Sequence, residues 1–91
     1  MYNPSHPGFL LKEYIEGANA NISQVAQKLG ITRVTLSNIT NGKRAITPEM
    51  ALRLSHLLPN TTASFWLNMQ AQYDLWQAEQ KFSFHIQPLF A

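Results

Sequence analysis

Residues 21–44 read NISQVAQKLGITRVTLSNITNGKR, and the fold turns on how this stretch is read. Asn21 offers a side-chain oxygen to the free backbone N–H groups that open a helix, and Gln24 stands three residues on in capping-box position. The helix ends at Leu29, where Gly30 can adopt the left-handed conformation that closes it. Thr32 caps a second helix that runs to about Asn41, just before Gly42. Val25, Leu29, Ile31, Leu36 and Ile39 are apolar where such a pair faces itself and a core. Ala26 is small where the second helix must cross closely. Two helices around a turn occur in any bundle; filling all these slots at once points to a DNA-reading helix-turn-helix.

The wheel of the second helix sharpens that reading. Leu36 and Ile39 mark its buried side, so at 100° per residue Val34, Ser37, Asn38 and Asn41 project away from it. They are short and mostly polar, which suits close approach to base edges. Thr32 and Arg33 lie at the N-terminal end, the end a recognition helix presents to bases. Arg33 suits guanine O6 and N7, Asn38 suits adenine N6 and N7, and Val34 suits a thymine methyl. The base-reading set is therefore Thr32, Arg33, Val34, Ser37 and Asn38. Ser23 and Gln24 open the first helix, where backbone N–H groups and the dipole favour an anion. With Thr35, Asn41, Lys43 and Arg44 they form the expected phosphate contacts, which set register rather than sequence preference.

The charge distribution agrees. The net charge of +2 says little, but residues 21–53 hold Lys28, Arg33, Lys43, Arg44 and Arg53 against one acid, Glu49. A basic segment between more acidic flanks is the footprint of a polyanion binder. Lys28 and Arg53 read better as ordinary solvated side chains.

Working outward, the punctuation predicts three more helices. Pro7 suits a first helical position, and Leu10, Leu11, Tyr14 and Ile15 form an apolar stripe that Gly17 ends. Thr47-Pro48-Glu49 is a strong start, stopped at Pro59-Asn60. Thr61 or Thr62 opens the longest helix, to about Gln80. Phe82, Phe84 and Ile86 then alternate with Ser83, His85 and Gln87, which reads as a short strand. The expected architecture is all-α. Residues 1–81 form a five-helix DNA-binding domain, and residues 82–91 a tail whose strand contacts a second copy or another protein. Trp66, Met69, Tyr73 and Trp76, spaced by three and four, join Phe82, Phe84 and Ile86 as the expected dimer or partner surface. The alternative for each aromatic is simple packing on the other helices.

Composition excludes other classes. With 91 residues and 45% hydrophobic content, one globular domain with a modest core is expected. The absence of cysteine removes disulfides, thiolate zinc sites and cysteine nucleophiles. His6, His56 and His85 lack ligand spacing, Glu13 and Glu16 have no catalytic partner, and no glycine-rich phosphate loop is present. No enzyme, metal, cofactor or small-molecule substrate is expected. Met1 to Pro7 lack a signal-peptide pattern, and no apolar run approaches the roughly 20 residues that span a bilayer, so a cytoplasmic protein without membrane contact is expected.

The 21–44 stretch resembles the lambda-repressor-like family. His6-Pro7-Gly8, Ile46 to Leu54, and Phe65 to Gln70 with Tyr73 to Trp76 are similar to the HigA antitoxin family, over about residues 5–80. Phe9, Ser64 and Ala63 depart from its usual acids and proline at helix starts and leave the reading face intact. The resemblance implies a homodimeric bacterial repressor that binds its own operator, nucleoid-associated when bound. It also implies a HigB-type partner toxin, a ribosome-dependent mRNA endonuclease that the antitoxin neutralises. Two other readings stay open: a repressor of the same class without a toxin, and a protein-interaction module that does not bind DNA.

Overall fold

A computed structural model describes residues 3–90. Met1, Tyr2 and Ala91, the outer ends of the two expected segments, lie outside the described residues. Five helices and no strand are formed among the described residues: α1 (Pro7–Gly17), α2 (Ile22–Leu29), α3 (Arg33–Thr40), α4 (Pro48–Leu57) and α5 (Ala63–Lys81).

Each start follows the sequence chemistry. Asn21, Thr32, Thr47 and Thr62 cap α2 to α5, each accepting from a first-turn backbone N–H. His6 caps α1 through Nδ1, which accepts from the Gly8 N–H at 2.9 Å. Gly30 closes α2 at φ 73°, left-handed as expected. The stop of α1 falls later than Gly17. Asn19 takes the left-handed turn at φ 53°, a conformation asparagine tolerates better than most residues.

The core joins all five helices: Leu11 of α1, Val25, Ala26 and Leu29 of α2, Leu36 and Ile39 of α3, Met50, Ala51 and Leu54 of α4, and Trp66 of α5, with Ile46 from the α3–α4 connection. The closest approach is at Gly8. A Cβ there would lie 1.7 Å from the Ile39 carbonyl oxygen, so only glycine lets α1 sit on the end of α3. Trp66 belongs to this core. It was expected at a partner surface, yet it is 0% exposed, lies edge-on to Tyr14, and donates its indole N–H to Thr61 Oγ1 at 2.9 Å. Helical spacing alone does not distinguish the inner from the outer turns of one stripe.

The tail is the other correction. Residues 82–90 are exposed throughout and form no ladder, so the alternation at Phe82, Phe84 and Ile86 does not make a strand in this chain. A strand needs an edge to bond to, and the helices supply none. The radius of gyration is 15.8 Å, against about 12 Å for a compact chain of this length. From Ala78 onward the last turn of α5 and the tail through Phe90 are exposed.

Candidate nucleic-acid interface

The recognition helix is α3, held by Leu36, Ile39 and Thr40 on its buried side. Arg33 is exposed and Val34 is 70% exposed, while Ser37 and Asn38 are half-buried next to them. Val34, Ser37 and Asn38 thus share the outer face that the wheel assigns them, with Arg33 at the N-terminal end of the helix. Thr32 is exposed too, but its hydroxyl accepts from Thr35 N–H at 3.1 Å and is bonded to Thr35 Oγ1 at 2.8 Å. The cap therefore occupies it. Thr40 Oγ1 donates to the Ser37 carbonyl, and Asn41 Nδ2 donates to Ser37 Oγ at 3.4 Å. Ser37 keeps its own hydroxyl proton to give.

Behind α3 the chain folds sharply back. The N–H groups of Lys43 and Arg44 both donate to the Asn38 carbonyl, at 2.8 and 3.2 Å. One expected base-reading residue thereby fixes the backbone of two expected phosphate-binding residues, whose side chains are exposed. At the other end, Asn21 Oδ1 takes the Ser23 N–H at 2.7 Å, and the capping partner is Ser23 rather than Gln24. Ser23 and Gln24 are exposed beside this helix start.

The electrostatics follow from one ion pair. Arg53 donates from Nε and Nη2 to Glu49 Oε1, at 3.3 and 2.8 Å. Its Nη1 caps α2 by donating to the Leu29 carbonyl at 2.6 Å. Among the described residues this is the single ion pair. The one acid of the basic segment is thus neutralised internally, while Arg33, Lys43 and Arg44 present uncompensated charge to solvent. Arg53 serves as a structural cap rather than a solvated side chain.

Two residues outside the expected set complete the frame. Gln70 of α5, 5% exposed, accepts from Ile46 N–H at 2.9 Å and donates to Asp74 Oδ1 at 2.8 Å. His6, 3% exposed, packs edge-on to Tyr73 with ring centroids 5.0 Å apart. Since its Nδ1 accepts from Gly8, Nε2 carries the proton in its hydrogen bond with the Arg44 backbone. Burial holds the imidazole below its ordinary pKa, opposed more weakly by Asp74 and by that Arg44 bond. The sequence did carry a signal for Gln70. A polar residue four places after Trp66 on the same helix face marks a buried hydrogen bond.

The expected partner surface divides. Met69, Tyr73 and Trp76 are half-buried, and Phe82, Phe84 and Ile86 are exposed. Leu75 is exposed on α5. The Trp76 indole N–H is covered yet has no hydrogen-bond partner among the described residues. No His, Cys, Asp and Glu cluster able to hold a metal is found among the described residues. No helix there is long and apolar enough to cross a membrane.

Known proteins share this arrangement. Residues 11–66 match the Helix-turn-helix family. Virulence-associated protein A of Dichelobacter nodosus is 43% identical, over 98% of this chain and 88% of its own. Antitoxin HigA-1 of Vibrio cholerae is 37% identical, over 96% of this chain and 85% of its own. The solved structure of Pseudomonas aeruginosa antitoxin HigA with the higBA promoter superposes with a TM-score of 0.84 at 29% identity, over 97% of this chain and 100% of that one. The chain belongs to the helix-turn-helix family and, within it, to the HigA antitoxins.

Proposed function

We propose that this protein is an operator-binding antitoxin and autorepressor, acting as a homodimer in the bacterial cytoplasm and neutralising a HigB-type toxin. The observation that carries the reading is the outer face of α3. Arg33 and Val34 stand exposed there with half-buried Ser37 and Asn38 beside them, backed by a basic turn, and the one acid of residues 21–53 is paired with Arg53. The same fold is found in an antitoxin solved with its promoter. Arg33, Val34, Ser37 and Asn38 read bases. Thr32 contributes through its methyl group, because its hydroxyl is engaged in the cap. Ser23, Gln24, Thr35, Asn41, Lys43 and Arg44 hold phosphates on either side.

One α3 helix reads only a few base pairs, so two copies with helices about 34 Å apart are needed to span a two-fold operator. Met69, Tyr73, Trp76 and the apolar tail at Phe82, Phe84 and Ile86 supply the surface for the second copy or the toxin. An extended, unpaired segment with apolar residues on alternate positions is suited to adding to another chain's strand.

A gel shift on the chain's own upstream DNA tests the reading. Arg33→Ala with Asn38→Ala should abolish specific binding, since each bidentate base contact is worth about 1–3 kcal/mol. Unchanged affinity would remove α3 as the reading element. Co-expression with the adjacent reading frame tests the toxin: the antitoxin should co-purify with it and relieve its toxicity.

A further inference from the structure

The turn that carries Lys43 and Arg44 is short, polar and exposed, and a turn of that kind holds a phosphate well only when its backbone is fixed in advance. Three groups fix it here. The Asn38 carbonyl takes both N–H groups at its start, His6 bonds the Arg44 backbone in the middle, and Gln70 takes the Ile46 N–H at its end. The first is local to α3. The other two reach in from the N-terminal arm and from α5, which lie far from the turn in sequence.

Gln70 is the more informative of these. Its amide bridges Ile46 N–H and the Asp74 carboxylate, so one side chain ties the end of the turn to α5. Both its polar ends are satisfied and it is buried, which leaves it no surface for DNA. The Ile46 side chain beside it is also buried, so that N–H has no access to water as a substitute partner.

We infer that Gln70 is a positioning residue for operator binding: from α5 it sets the backbone of the Lys43–Arg44 turn and thereby its grip on phosphate. This rests on the phosphate role of Lys43 and Arg44. The residue touches no DNA, and its influence runs through the Ile46 N–H.

The test compares operator affinity across a range of salt for wild type, Gln70→Leu, Lys43→Ala/Arg44→Ala, and the combination of all three changes. Thermal melts of each variant establish that binding is measured on folded protein. Gln70→Leu should weaken binding about tenfold. It should also flatten the dependence of log K on log salt by about 0.9 for each phosphate the turn no longer neutralises. In the Lys43→Ala/Arg44→Ala background the same change should cost little more, because the phosphate grip it positions is already absent. Amide exchange at Ile46 should be slow in wild type and fast in Gln70→Leu. The exchanged pair Gln70→Glu/Asp74→Asn keeps an acceptor for Ile46 and a donor–acceptor bond between positions 70 and 74 of α5, and should restore affinity and slope. It also serves as the test if Gln70→Leu does not fold, since an exchanged pair that folds, protects Ile46 and still shows the flattened slope overturns the inference. Wild-type affinity and slope in Lys43→Ala/Arg44→Ala would remove the phosphate reading itself, and the inference with it. A defect there with wild-type binding by folded Gln70→Leu, or losses that simply add, would overturn the role of Gln70 alone.

Discussion

The two ends of α5 make opposite use of the same composition. Near its start, Trp66 is buried edge-on to Tyr14 with its N–H bonded to Thr61, and Gln70 beside it is buried with both polar ends paired. Ten residues after Trp66, Trp76 is half-buried with an unpaired N–H, Leu75 is exposed, and the tail beyond is 73% exposed at Phe84. The helix packs on α4 and α1, and from Ala78 onward the described residues are exposed. Apolar side chains therefore stabilise the monomer at one end and are left exposed at the other, where the proposed partner surface lies.

Mutations at the two ends should separate these roles. Trp66→Ala should cause the largest loss, about 3–5 kcal/mol by thermal or denaturant melt, because it empties the centre of the core and removes the indole bond to Thr61. Gly8→Ala follows at about 3 kcal/mol, since the added methyl collides with the Ile39 carbonyl and lifts α1 from the α3 it supports. Thr62→Ala removes the cap that accepts from Phe65 N–H and should cost about 1 kcal/mol.

The pH response should locate to the middle of the helix, where His6 meets Tyr73 and Asp74. His6 has a lowered pKa in the folded state, so below the ordinary value of 6.5 the unfolded chain binds the extra proton first. Its contribution to stability is therefore full above that value and is lost as pH falls through the lowered one. Melts over that acidic range should show the decline in wild type and a shallower one in His6→Asn. The smallest effect on monomer stability belongs to the tail. Phe84→Ser should change it by less than about 0.5 kcal/mol. Sedimentation should nonetheless show weaker self-association or toxin binding; unchanged assembly would deprive the tail of its proposed role.

The caps and the helix-turn-helix were legible because they depend on near neighbours. Asn21, Thr32, Thr47 and Thr62 each act within three residues, Gly30 acts on its own φ, and the apolar slots of α2 and α3 recur with the helical period. The excess of basic residues in 21–53 was legible from composition, but the engagement of Arg53 with Glu49 and with the Leu29 carbonyl was not. The roles of Trp66 and His6 were not, and for Gln70 the sequence marked only a polar position on the face of Trp66, without its partner. Each is defined by a partner on a distant element, and periodicity reports which face of a helix is apolar without reporting how far along that face the neighbours extend.

Residues 21–44 by themselves thus determined a pair of capped helices with a small polar face turned outward, because caps, turn and stripe are local chemistry. Only the tertiary structure decided how the turn behind that face is held, through Gln70 from α5 and His6 from the N-terminal arm. It also decided where the aromatic stripe of α5 leaves the core, because burial depends on what the rest of the chain places alongside.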